Sequence, residues 1–213
     1  MKLNNLQKTA ASASLVSFAI VLDIFWTLTF SWNTIGSGTI FKISVLPLIL
    51  IGFIFGFKYG LLSCILFNFY HLQKASFFTL KVWLDLFNIN STCSIFIYLL
   101  DYTLPDLSYS ISGLFYLPDF NNNNHFKKIC LALFLIFSLK AIFHILSGYL
   151  FWINLTLTPE VISKFPNFFR KLLDHKHYLI FSIIYNFIPT ITTGLLNGVI
   201  FYFLNNKFRF KLF

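Results

Sequence analysis

Leu139-Lys-Ala-Ile-Phe-His-Ile-Leu-Ser-Gly-Tyr-Leu-Phe-Trp152 is an apolar run that carries two ionisable side chains. It closes a hydrophobic segment over residues 129–152, which reaches the roughly 20 residues that a helix needs to cross a bilayer core. Ionisable groups at that depth are costly, so they face a bundle interior or a cavity and point to function. Lys140 and His144 are four residues apart, and His144 and Trp152 eight, so a helix sets all three on roughly one face. That stripe offers a cation, an imidazole and a large ring to one space. The structural alternative is a snorkelling lysine, a histidine bonded to a neighbouring helix and an interfacial tryptophan.

The composition supports a membrane setting for this run. The 213 residues are 57% hydrophobic and 21% aromatic, only 11% are charged, and the mean hydropathy is +0.76. Soluble domains are about a quarter charged. The chain therefore reads as an integral membrane protein forming one domain over residues 1–213. The net charge of +9 comes from scattered Lys and Arg, with a basic run only at Lys207–Lys211. Beside a span, that run suits anionic lipid headgroups, and nucleic acid is not an expected partner. Cys64, Cys93 and Cys130 form no CxxC pair and lie in or beside apolar segments, which favours packing over a metal site or disulfide framework. The N-terminal apolar run is too long for a signal peptide and is interrupted by Asp23, so it is expected to stay as the first helix.

Six hydrophobic segments follow, at about 10–30, 40–57, 61–78, 92–117, 129–152 and 178–204. The expected fold is an all-α bundle of six transmembrane helices, multi-pass in the cell membrane with both termini on one side. Lys and Arg divide almost evenly between the two sides, so the positive-inside bias barely orients it; the termini are placed inside. Lys42 and Pro47 make the second segment short or kinked, and Gly56-Phe-Lys-Tyr-Gly60 reads as a turn before the third. The connections 73–91 and 153–177 are long enough to serve as lids or to lie on the headgroups. On the first helix, Thr9, Ala13 and Ser17, with Ala10 and Ser14, repeat small residues at four-residue spacing. Such a face suits close docking of a partner helix, or packing inside the bundle.

The chemistry gathers in the second half of the chain. Asp101 and Tyr102 fall mid-segment, and Tyr185 and Asn186 lie in the last one. A buried carboxylate needs a partner, which Lys140, His144 or a bound cation could supply. One acid, an imidazole, an amide and several rings suit a small flat cation with hydrogen-bonding edges. The alternatives are an Asp101–Lys140 salt bridge, packed tyrosines and interhelical bonding by Asn186. GxSxG, HExxH and P-loop motifs are absent, so no enzyme, metal or cofactor is expected. An intramembrane acid/base pair of Asp101 and His144 stays as the alternative. Without a nucleotide motif, active transport would draw on partner subunits or an ion gradient.

Four stretches carry a resemblance. They are Ser44-Val-Leu-Pro-Leu-Ile-Leu-Ile-Gly52 running on to Lys58-Tyr-Gly-Leu-Leu62; Leu100-Asp-Tyr-Thr-Leu104 with Ser112-Gly-Leu-Phe115; Lys140-Ala-Ile-Phe-His144 with Leu146-Ser-Gly148 and Phe151-Trp152; and Phe181-Ser-Ile-Ile-Tyr-Asn186. Together they resemble the thiamine-specific S components of energy-coupling factor (ECF) transporters, the ThiT-like family, over nearly the whole chain. The resemblance implies that Asp101, Tyr102, His144, Trp152 and Asn186 line a thiamine pocket, with Phe181 and Tyr185 in the last motif and Trp32 at the family's first-loop tryptophan. It also implies a transmembrane coupling subunit with ATPase subunits as partners, docked at Ala10, Ala13, Ser14 and Ser17. The chain departs from the family at Asp101, where members carry Glu, at Phe181, where they carry Tyr, and at Lys140, where they carry Arg. Those departures extend the ligand class to a thiamine precursor or to another vitamin or heterocycle.

Overall fold

A computed structural model describes residues 3–30, 42–78, 91–117, 125–153, 159–163 and 165–207. Every element among them is helical. Helix α1 (Asn5–Phe30) is followed by α2 (Val45–Phe55) and α3 (Phe57–Phe78), which only Gly56 separates. Next come α4 (Ser91–Tyr98), a π turn (Leu99–Thr103), α5 (Leu104–Ser108) and a 3₁₀ segment (Tyr109–Phe115). Helix α6 (His125–Ser147) runs into a second π turn (Gly148–Trp152). Two short helices, α7 (Pro159–Ser163) and α8 (Asn167–Asp174), precede α9 (Tyr178–Lys207).

Three of these helices are long and apolar enough to cross a membrane: Asn5–Thr29, Phe126–Trp152 and Tyr178–Phe203. The burial pattern across the described helices agrees with that reading. Phe18, Val21, Phe25 and Leu28 of α1 and Leu195 and Val199 of α9 point outward, while Asp23, Asn68, Asp106, Lys140 and Asn197 are buried. Apolar side chains outside and polar ones inside are what a lipid solvent selects.

The core sits where α2 meets its neighbours. Leu48, Ile49, Ile51 and Phe53 of α2 are fully buried with Phe67 of α3, Tyr109 of the 3₁₀ segment and Phe201 of α9. Phe53 and Phe201 meet edge to face at 5.5 Å. The 3₁₀ segment comes close enough to α3 that a Cβ on Gly113 would overlap the backbone of Phe57 and Gly56.

Two sequence expectations are corrected by this geometry. Residues 57–60 are the first turn of α3 rather than part of an open turn. The segment at 92–117 is not one continuous α-helix but four pieces of differing pitch, for a reason that bears on the site.

Candidate functional site

Pro105 explains the break. It has no amide hydrogen, and its ring crowds the carbonyl four residues back, which belongs to Asp101. The backbone responds by widening, and the Leu104 amide bonds to the Leu99 carbonyl in the i→i+5 pattern. Asp101 and Tyr102 ride on this wide turn.

A second wide turn faces it. At the end of α6 the Ile153 amide bonds to the Gly148 carbonyl. Gly148 lets this turn lie close to α9, where a Cβ would press on Ser182 Oγ and Asn186 Nδ2 and make those side chains shift. In an ideal α-helix, eight residues would carry Trp152 ~80° past His144. The wide turn takes up part of that rotation.

The two turns bring their side chains together at Asp101. His144 Nδ1 lies 3.3 Å from Asp101 Oδ1, and Trp152 Nε1 donates to Asp101 Oδ2. The carboxylate thus has a donor on each oxygen, and the pair stays partly open, with side-chain exposures of 15% for Asp101 and 23% for His144. Trp152 and Tyr102 pack with Tyr98 and Phe151 against Ala75 and Ile97. Lys140 is not the partner of Asp101. Its ammonium donates to the Tyr109 hydroxyl at 2.5 Å and lies over that ring, 5.2 Å from the centroid. The charge of Asp101 is therefore shared with an imidazole and an indole, and its surroundings are aromatic. Chemically the arrangement can pair with a cation, accept further hydrogen bonds or exchange a proton with His144.

No protein-family model matches this chain, and no curated protein matches it.

Of the other residues singled out in the sequence, three form a second group. Phe181 and Tyr185 stack on each other at 5.6 Å with planes 10° apart. Phe165 closes on them edge-on at 5.4 and 6.0 Å, and Phe169 does the same from α8. Asn186 Nδ2 donates to the Ser182 carbonyl at 3.0 Å, and Ser182 Oγ donates to the Ile145 carbonyl at 2.8 Å. This group abuts the Gly148 turn that carries Trp152, one helical turn from Asp101's partners. Trp32 and residues 79–83 of the first long connection lie outside the described residues. Ala10, Ala13, Ser14 and Ser17 are exposed on α1.

Sequence reasoning missed a second polar network. Asp23 accepts from Lys74 Nζ at 2.6 Å, Tyr70 Oη at 3.0 Å and Ser44 Oγ at 3.3 Å. Lys74 also donates to Thr27 Oγ1 at 2.8 Å. Beside it, His71 Nδ1 lies 2.8 Å from Asp106 Oδ2, to which Asn68 Nδ2 also donates at 3.2 Å. In the sequence, Asp23 and Lys42 stand only as interruptions of apolar segments. The available signal was the spacing of Phe67, Tyr70, His71 and Lys74, which sets three polar groups and a ring on one side of α3. Among the described residues, no group of three or more His, Cys, Asp or Glu side chains is placed to hold a metal ion. An open concavity lined by Tyr149 and residues 176–180 shares no residue with the cluster at Asp101.

Proposed function

We propose that this chain is the substrate-binding membrane subunit, an S component, of an ECF-type importer, and that it captures thiamine or a close relative at Asp101. In this reading the helices form a six-span bundle in the cell membrane. The six segments would correspond to α1, α2, α3, the broken run from Ser91 to Phe115, α6 and α9, of which α1, α6 and α9 are long and apolar enough to cross on their own. The observation that carries the reading is the partly open Asp101 carboxylate, held between His144 and Trp152 with Tyr102 packed in the same aromatic cluster. A flat cation finds there a charge to pair with, rings to lie against and an imidazole that can donate or accept. Transport would follow from docking of a membrane coupling subunit and its ATPases, for which the exposed small-residue face of α1 is suited. The neighbouring alternative keeps the architecture and changes the vitamin or heterocycle.

A different class of function has one observation in its favour, the 3.3 Å approach of His144 to Asp101, which would serve an intramembrane acid/base enzyme. The two diverge on substitution: loss of His144 abolishes turnover in the enzyme and weakens binding in the transporter. Intrinsic tryptophan fluorescence of the purified protein, titrated with thiamine, tests the proposal. Saturable quenching with a submicromolar Kd, lost in Trp152→Phe, is expected. Flat titrations with thiamine, its precursors, riboflavin and biotin would overturn the vitamin-binding reading.

A further inference from the structure

Lys42 stands at the entry to α2, and two helices hold it. Its amide donates to Thr193 Oγ1 at 3.2 Å, and its carbonyl accepts from Asn197 Nδ2 at 3.3 Å, both from α9. Its ammonium reaches His71 Nε2 on α3 at 3.3 Å. An ammonium donates and cannot accept, so Nε2 must offer a lone pair. The imidazole proton then sits on Nδ1, aimed at Asp106 Oδ2, 2.8 Å away on α5. The result is a directed chain from the Lys42 ammonium through a neutral His71 to a buried carboxylate that Asn68 also supports. Its charges cancel, so it fixes geometry near the site without adding a repulsive cation.

This chain ends against the proposed binding site. The His71 ring meets the Tyr102 ring at 5.0 Å with planes 74° apart, an edge-to-face contact. Tyr102 follows Asp101 on the wide turn and shares the aromatic cluster with Trp152. Turning the imidazole would therefore move the wall beside the carboxylate. Both of its nitrogens are tied, so its plane is fixed by hydrogen bonds rather than by packing alone.

We infer that Lys42, His71 and Asp106 act as one positioning unit, which locks the Tyr102 ring and so sets the affinity of the Asp101 site for its cationic, ring-bearing ligand. The part about affinity rests on the binding function proposed above; the part about Tyr102 does not. The unit ties α9 and the entry to α2 to the wall of the site.

Full-length protein in detergent tests both parts. The Tyr102 ring signal is followed by NMR of protein with isotope-labelled tyrosine, assigned by Tyr102→Phe, and thiamine affinity by tryptophan fluorescence. Lys42→Met is expected to shift the Tyr102 signal in the same direction as His71→Ala and to weaken thiamine binding about tenfold. The double variant should bind no more weakly than His71→Ala alone, as expected of residues that act as a unit. Lys42→Arg, which can still donate to Nε2, should restore the signal and bring affinity to within about threefold of the original protein. A Tyr102 signal unmoved by Lys42→Met in folded protein would overturn the inference, whatever thiamine does. Losses that multiply in the double variant would also overturn it. Shifted Tyr102 signals with no thiamine binding in the unsubstituted protein would instead sink the binding function and leave the positioning unit standing.

Discussion

Asp23 and Asp101 are both carboxylates set in apolar helices, yet their neighbours give them different roles. Asp23 is closed in by an ammonium, a phenol and a hydroxyl, and its side chain is 4% exposed. Breaking such a buried pair leaves an uncompensated charge, at a typical cost of ~3–5 kcal/mol, so Asp23 belongs to the scaffold. Asp101 is also bonded on both oxygens, but its donors are an imidazole and an indole, and its side chain remains 15% exposed. A carboxylate retains further acceptor capacity after two hydrogen bonds, so a ligand can join without displacing either donor. Asp101→Asn probes this directly. The amide keeps one acceptor oxygen but turns a donor toward either His144 or Trp152, and it removes the charge that would pair with a cation. A charge-assisted hydrogen bond is worth ~1.5–3 kcal/mol, so the expected loss of thiamine affinity is about ten- to a hundredfold. Isothermal titration of the variant checks it, and unchanged affinity would remove Asp101 from the site.

Between elements, the 3₁₀ segment crosses the start of α3 at close range through Gly113. The obstructing atoms there belong to the backbone of Phe57 and Gly56, which cannot swing aside as a side chain could. Gly113→Ala should therefore push the 3₁₀ segment away from α3 and loosen the path back to Asp106 and Asp101. Overpacking of this kind costs ~1–3 kcal/mol, so a lower thermal midpoint in detergent is expected, with thiamine binding weakened alongside it. A midpoint equal to that of the unsubstituted protein would show that the crossing is slack. The same contrast explains what could be read in the sequence. The helical class and the three longest apolar helices were legible, because hydropathy over some twenty residues is a property of the segment itself. The break at 99–103 was not, although Pro105 was in plain view. Proline forbids one hydrogen bond but does not say whether the chain will kink, stop or widen. At the site, spacing put Lys140, His144 and Trp152 on one face, but only His144 and Trp152 meet Asp101, through π turns that spacing alone does not reveal, while Lys140 turns to Tyr109. The His71–Asp106 pair joins residues 35 apart in sequence and leaves no periodic trace.

At the scale of the whole molecule, α1 separates two kinds of surface. Ser12, Val16, Ala19 and Asp23 face inward and are buried, so the bundle's own packing uses that side. Ala10, Ala13, Ser14 and Ser17 face outward, so none of the described elements packs over them. The two serine hydroxyls donate to the carbonyls of Ala10 and Ala13 at 3.1 and 3.0 Å, so the face presents no unsatisfied donor to lipid. What remains is a smooth patch in a helix whose other outward residues include Phe18, Val21, Phe25 and Leu28. Lipid makes no demand for small side chains, whereas a second helix at close range does. If a coupling subunit docks there, Ala13→Trp should leave thiamine binding by the isolated protein unchanged and cut thiamine uptake by cells that also express an ECF coupling protein and its ATPases. A bulky ring at a small-residue interface typically costs ~1–3 kcal/mol, so a fall in uptake of about tenfold is expected, with Phe18→Trp as the control for a ring facing lipid. Equal uptake in the two variants would mean that this face meets only lipid, and docking would have to be sought on another helix.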